Sequence, residues 1–320
     1  MDYSQIRGFN YQPSYGSTSF ENWLYFNPDI VELELRRGKS YFPNMNAIRL
    51  WLSWDAFVRN PKRFADSFET ALGIARKLDL MVMPILFNRW HNEFLDCGGI
   101  YLDHFMPGYS WIQGKEQFQE YLDAIVGGHW NDERIFAWDI CNEPFSYLRP
   151  VHEMQGVEAE EYKWLERMYR ICKDYRIKAP AGISIHDWHG RYGIERIEPI
   201  SDILFIHPYY KYNPEDTKLK SEYIELLDNY VDAAAKSKKD MLVTEACWGS
   251  MDDAWHVENI RYTLTELKKR NIGWIVHALH HSLVADLHRP EFGPYSTPGN
   301  LAFIESNGEL RKGHEIFNEF

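Results

Sequence analysis

Short apolar runs recur along this chain, and each is followed by room for one helix. The runs span residues 6–11, 46–54, 80–87, 136–143, 181–185, 203–207, 240–245 and 273–278. Runs of this length, rich in large apolar side chains, read as strands buried on both faces. Helix signals lie between them. Asn27-Pro28 and Asn60-Pro61 each supply a capping amide followed by proline at the first helical position, and they open helices to about residues 39 and 78. A third pair, Asn213-Pro214, opens a helix to residue 236; further helices are expected over 115–126, 157–177, 252–270 and 309–318, with a helical turn after the fifth run. Strands that alternate with helices and lack a polar face build a parallel sheet covered on its outside. Eight such units predict an α/β fold closed into a single (β/α)8 TIM barrel, one domain over residues 1–320. An open doubly wound sheet would carry a glycine-rich phosphate loop after its first strand, and neither G-x-G-x-x-G nor G-x-x-x-x-G-K-[ST] occurs.

Two of the runs end on a carboxylate. Phe136-Ala137-Trp138-Asp139-Ile140-Cys141-Asn142-Glu143 stops at Pro144, which has no N–H with which to continue a central strand. Asp240-Met241-Leu242-Val243-Thr244-Glu245 has the same form. A carboxylate is expensive to bury without compensation, and carboxylates at the C-terminal ends of barrel strands are often catalytic. Glu143 and Glu245 lie three βα units apart, so a closed barrel lets both face one mouth.

Asn142-Glu143-Pro144 on the fourth strand and Thr244-Glu245 on the seventh resemble clan A of the glycoside hydrolases, and most of all the cellulase-type family 5 and its relatives. Arg49, in Ile48-Arg49-Leu50-Trp51, and His207-Pro208-Tyr209 at the end of the sixth strand add to the resemblance, which covers nearly the whole chain. It implies a retaining β-glycoside hydrolase acting on a β-linked glycan or oligosaccharide, without cofactor or metal. Glu143 would be the acid/base and Glu245 the nucleophile. Arg49 would lie near the nucleophile, Tyr209 would donate to it, His207 would stand beside them, and Asn142 would hold a substrate hydroxyl such as the 2-OH. The chemistry suits these residue types. Double displacement needs one carboxylic acid to protonate the leaving oxygen and one carboxylate to attack the anomeric carbon, about 5–5.5 Å apart. Arg49 and Tyr209 can keep the second ionised by charge and by hydrogen bonding.

By the same resemblance, Trp90 and His91 stand after the third strand, where the clan often carries sugar-binding His or Trp. Trp248, just beyond Glu245, offers a ring for stacking. One departure matters. Many family members end the eighth strand with a Trp that floors the subsite of the attacked sugar. Here the stretch reads His277-Ala278-Leu279-His280-His281-Ser282, and Trp274 comes too early on the strand. A His, with His280 the candidate, or a residue from another loop would substitute.

Other residues have blander readings. Asp139 lies on the face of Glu143 by strand alternation and reads as a barrel-interior partner for Arg49 or for a backbone group. His186-Asp187-Trp188-His189 reads as a rim loop. Cys97, Asp103 and His104 match no zinc spacing. The four cysteines form no CxxC pair, and Cys141 and Cys247 read as small buried thiols. A formal net charge of −12 argues against a nucleic-acid partner, and no apolar run is long enough to span a membrane. Met1-Asp2-Tyr3-Ser4-Gln5 has no leader character, which fits a cytoplasmic protein or an exported one whose leader has been removed. The connections over 88–114 and 285–300 are long enough to wall a cleft, which would favour exo action or short oligosaccharides. The rivals are a carbohydrate-binding barrel without catalysis, a glycosidase-like transglycosylase and a metal-dependent barrel hydrolase.

Overall fold

A computed structural model describes residues 1–90, 99–107, 117–146, 151–211, 213, 216, 218–286, 289 and 299–320. The strands are β1 (Arg7–Tyr11), β2 (Ala47–Trp51), β3 (Met81–Asn88), β4 (Trp138–Asn142), β5 (Ala181–His186), β6 (Leu204–His207), β7 (Met241–Val243) and β8 (Gly273–Val276). They run parallel, in chain order, round a closed barrel in which β1 also pairs with β8. The expected (β/α)8 barrel is therefore the fold. Among the described residues the helices are α1 (Ser19–Leu24), α2 (Pro28–Tyr41), α3 (Trp54–Arg59), α4 (Pro61–Lys77), α5 (Gln119–Leu122), α6 (Val151–Asp174), α7 (Gly190–Ile197), α8 (Leu219–Ser237), α9 (Asp253–Lys269) and α10 (Leu283–Asp286). None of them is long and apolar enough to cross a membrane.

Most of the apolar side chains sort into two cores, with a third, small cluster at Trp248, Ala278, Ala285, Leu301 and Ala302. Phe64, Phe68, Leu72 and Ala75 recur at helical spacing on α4 and belong to the large cluster between strands and helices, together with outward-facing strand residues such as Phe9 and Ile48. Ile6, Met83, Phe136, Phe205, Leu242 and Ile275 form a second cluster at the strands' N-terminal ends. That cluster seals the bottom of the barrel. Full burial of each such side chain contributes about 1.5–3 kcal/mol. Above it the interior turns polar, with Asn10, Arg49, Asp139, Asn142 and Ser184 all buried.

The two Asn-Pro caps form as the sequence suggests. Asn27 accepts a hydrogen bond from Ile30 N at 3.3 Å, and Asn60 accepts one from Arg63 N at 3.1 Å. Asn213 does not repeat the pattern: α8 begins only at Leu219, its N-cap is Lys218 without a side-chain cap, and Pro214 lies outside the described residues. The helix expected over 115–126 is described from α5 onward and passes into a π turn at Asp123–Gly127. The closing helix expected over 309–318 is a 3-10 helix, His314–Glu319, opened by Gly313 at φ 82°. Most of the two loops expected to wall a cleft lies outside the described residues.

Candidate active site

The strand ends bring two carboxylates to the same mouth. Glu143 follows β4 directly, with φ at 45°. A non-glycine residue in this left-handed region is costly and persists only where its surroundings hold it. Here Glu143 N donates to Ser184 O at 3.0 Å, and Ser146 Oγ donates to Glu143 O at 2.8 Å. The simple alternation argument for β4 does not hold, because the register with β5 shifts between Asp139 and Asn142. Both of those side chains then reach Arg49, and Glu143 enters the mouth by its backbone turn instead.

Arg49 is fully buried and is the hub of the polar layer. Its Nη2 donates to Asp139 Oδ2 at 2.7 Å, to Asn142 Oδ1 at 2.6 Å and to Ser184 Oγ at 3.0 Å. Its Nη1 donates to Asn10 Oδ1 at 2.8 Å and to Glu245 Oε1 at 2.6 Å. Of the two partners the sequence offered Asp139, the structure selects Arg49. Asn142 is fixed at its other end too, since its Nδ2 donates to Asn88 Oδ1 at 3.0 Å. Asn10 Nδ2 donates to Thr244 O at 2.8 Å and so ties β1 to the segment that carries Glu245.

Glu245 is 5% exposed and its second oxygen is ringed by donors. Tyr209 Oη donates to Oε2 at 2.6 Å, while Nδ1 of His277 lies 3.3 Å away and Nδ1 of His207 3.6 Å. Burial alone would push this carboxyl up. The charges of His207, His277 and Arg49, with the close approach of His277, outweigh it and hold Glu245 well below the usual carboxylate range. Tyr209 moves the other way: burial first, and then the neighbouring Glu245 and Glu143, push its phenol well up, so it stays a donor.

Glu143 is 4% exposed, and its Oε1 lies 2.6 Å from His207 Nδ1. The other ring nitrogen of His207 lies 3.0 Å from Thr244 Oγ1. One carboxylate oxygen from each Glu and one nitrogen of His207 all lie within 4.8 Å of one another. Such a trio could geometrically accept a cation, as could Glu69, His129 and Asp132 on the surface. In both places the carboxylates already meet guanidinium groups: Arg49 binds Glu245, and Arg134 binds Glu69 and Asp132.

The remaining candidates divide. Trp90 is half-buried and exchanges main-chain hydrogen bonds with the Asn88 side chain, one link from Asn142. His91 lies outside the described residues, as does Cys97. Trp248 packs edge-on to Tyr209, with ring centroids 5.3 Å apart, and Lys211 Nζ lies 4.3 Å from the centre of its ring. His280 is not beside the two Glu. Its Nε2 meets Arg37 Nη1 at 2.9 Å and its Nδ1 meets His281 O at 3.0 Å, behind the barrel wall against α2. His277 is the residue from this stretch that reaches Glu245. The eighth strand ends at Val276, two residues earlier than the sequence suggests, and the next side chain turns into the mouth. The peptide bond between His277 and Ala278 is cis. Trp274 is fully buried at the start of β8, under the guanidinium of Arg7 at 3.6 Å. His186, on the rim, stacks on the exposed Trp188 at 4.0 Å between ring centroids. The thiols of Cys141 and Cys247 are buried, as expected.

Known proteins resemble this chain most in fold. Over 98% of its length it superposes on an exo-β-1,4-mannosidase from Opitutaceae bacterium strain TAV5 with a TM-score of 0.73 at 18% identity, spanning 58% of that chain. The family-5 glycoside hydrolase GH5_18 from Streptomyces cattleya, in complex with GlcNAc, superposes at 0.72 and 14% identity, with 98% of this chain and 78% of that one covered. A glycoside hydrolase family 5 mannosidase from Rhizomucor miehei gives 0.66 and 14%, covering 98% and 92%. No protein among the curated sequences is significantly similar to the chain. The family model described as cellulase (glycosyl hydrolase family 5) matches residues 40–282, and on that match the chain belongs to glycosyl hydrolase family 5.

Proposed function

We propose that the protein is a retaining β-glycoside hydrolase, with Glu143 as acid/base and Glu245 as nucleophile. The observation that carries this reading is the approach of the two carboxylates, whose oxygens come within 4.8 Å with His207 between them. Inverting enzymes separate their carboxyl groups by about 6.5–9.5 Å to admit a water, whereas retaining enzymes hold them at about 5–5.5 Å. The electrostatics support the division of labour. Glu245 is held ionised, as an attacking group must be. Glu143 has a hydrogen-bond partner in His207, 2.6 Å away.

In the first step Glu143 gives its proton to the glycosidic oxygen while Glu245 attacks the anomeric carbon. The aglycone leaves, and a glycosyl ester forms on Glu245. Esterification removes the negative charge of Glu245, which makes it easier for Glu143 to stay ionised. In the second step Glu143 takes a proton from water, the hydroxide oxygen attacks the anomeric carbon, and Glu245 departs as carboxylate. His207 can follow these changes. Its Nδ1 accepts from protonated Glu143 when Nε2–H faces Thr244 Oγ1, and donates to ionised Glu143 when Nδ1 carries the proton. Asn142, oriented at both ends by Arg49 and Asn88, offers its amide to a substrate hydroxyl. The substrate is a β-linked glycan or an oligosaccharide derived from one; mannosidases and glucuronidases occur among the structural neighbours. Product release from a panel of aryl β-glycosides and β-glycan oligosaccharides tests the reading. The native protein should turn over at least one of them, and Glu245→Gln should lower kcat by about 10⁴-fold or more. A Gln variant with near-native rates would refute the assignment.

A further inference from the structure

The residue that follows the eighth strand, His277, places its imidazole beside Glu245. Nδ1 of His277 lies 3.3 Å from Glu245 Oε2, but the contact is long and poorly aligned, and this buried nitrogen has no well-formed hydrogen bond. Nε2 has no partner among the described residues either. The residue is only 8% exposed, yet both of its ring nitrogens have capacity left in the mouth. A buried polar atom left unpaired is costly, so such an atom at a binding site signals a ligand group that completes it.

The surroundings sharpen this. Next in the chain, Ala278 joins a small apolar cluster with Trp248, Ala285, Leu301 and Ala302. Trp248 of that cluster carries Lys211 over its face, and the Tyr209 ring packs edge-on against it. Among the described residues, the end of β8 presents the ring nitrogens of His277 to a sugar at Glu245. A pyranose whose hydroxyls are all equatorial offers C–H faces suited to stacking on a ring. An axial hydroxyl makes one face polar, and that oxygen needs a hydrogen-bond partner.

We propose that His277 determines glycone specificity: its imidazole bridges Glu245 and an axial hydroxyl of the sugar under attack, so the enzyme favours a glycone with an axial hydroxyl over its all-equatorial epimer. The proposal rests on the two-Glu reading of the site. An equatorial glycone in this mouth leaves His277 unfilled, and a site built to bond a hydroxyl discriminates strongly against a ligand that lacks it.

The experiment compares 4-nitrophenyl β-mannoside (axial 2-OH), β-galactoside (axial 4-OH) and β-glucoside (none), using the native protein, His277→Phe, His277→Gln and Glu245→Gln. Expected is a native kcat/KM for the mannoside or the galactoside at least about tenfold above the glucoside, and which of the two leads identifies the hydroxyl. His277→Phe, which keeps a ring but removes the nitrogens, should collapse that ratio to within about threefold of unity, and His277→Gln, which retains a donor and an acceptor, should keep part of it. A native preference for the glucoside overturns the proposal. So does a uniform fall on all three substrates in both His277 variants. Loss of all activity in Glu245→Gln alone keeps the parent reading intact in either case, whereas a native protein silent on all three substrates overturns the glycone proposal and leaves the two-Glu reading to the wider panel. Thermal melts of the variants separate misfolding from altered specificity.

Discussion

Each oxygen of Glu245 has its own donors, and this division sets what single substitutions should do. Tyr209 spends its phenol on Oε2 at 2.6 Å, and a hydrogen bond to a charged group contributes about 1.5–3 kcal/mol. Tyr209→Phe should therefore lower kcat/KM by about ten- to a hundredfold on any accepted substrate, with the fold intact by circular dichroism; an unchanged rate would show that the bond is not used in the transition state. Arg49 is different, because it serves the fold as well as Glu245. Removing its guanidinium strands Asp139 in a fully buried position, and breaking a buried pair in this way costs about 3–5 kcal/mol. Arg49→Ala should thus lose stability of that size in urea unfolding as well as activity. Most of this site was readable from the sequence because each residue ends a strand or sits two or three positions from its end. His277 was not, and His280 stood in for it. Beyond Val276 the chain leaves the ladder, and with it the two-residue period that tells which side chains face inward.

At the scale of elements, local signals served well where packing agreed with them. Asn60 illustrates agreement: it ends α3 and caps α4. Asn213-Pro214 carries the same letters but α8 starts later, so the cap signal was present without the helix. The β4 register shift and the π turn after α5 leave no mark in composition, since both are adjustments of one element to its neighbours. The final 3-10 helix brings a titratable cluster with it. His314 Nε2 meets His256 Nδ1 at 2.8 Å, and Arg311 Nη1 lies 3.0 Å from the same nitrogen. Burial, followed by the Arg311 charge, pulls His314 down to about 4; burial, then His314 and Arg311, holds His256 well below its ordinary value. Unfolded histidines titrate near about 6.5, so between there and pH 4 the unfolded chain binds more protons than the folded one. Stability from this cluster is complete above pH 6.5 and is lost as the pH falls. His314 alone should account for about 2 kcal/mol between pH 7 and pH 5. The urea midpoint of the native protein should drop over that interval, and His314→Asn should flatten the drop; an equal slope in both would remove His314 as its cause.

For the whole molecule, a barrel has no sheet edge, so its weak points are where its seal is tight. Gly273, the first residue of β8, is one of them: a Cβ there would lie 2.0 Å from Tyr3 O, in the 3-10 turn Tyr3–Gln5 beneath the strands. Backbone must move to admit a methyl group, and overpacking of this kind costs about 1–3 kcal/mol. Gly273→Ala should lower the melting temperature while leaving kcat per folded molecule unchanged, because the change falls at the end of the barrel opposite the mouth. Arg49 has a wider consequence, in the order of assembly. The residues it holds, Asn10, Asp139, Asn142, Ser184 and Glu245, lie 39 to 196 positions away along the chain, from the first strand to the seventh. No contiguous fragment short of that span contains the complete set. During refolding, activity then returns with the last pairing of the ring and not with the first. A chain stalled part-way holds a bare guanidinium and separated carboxylates, without the chemistry of the finished mouth.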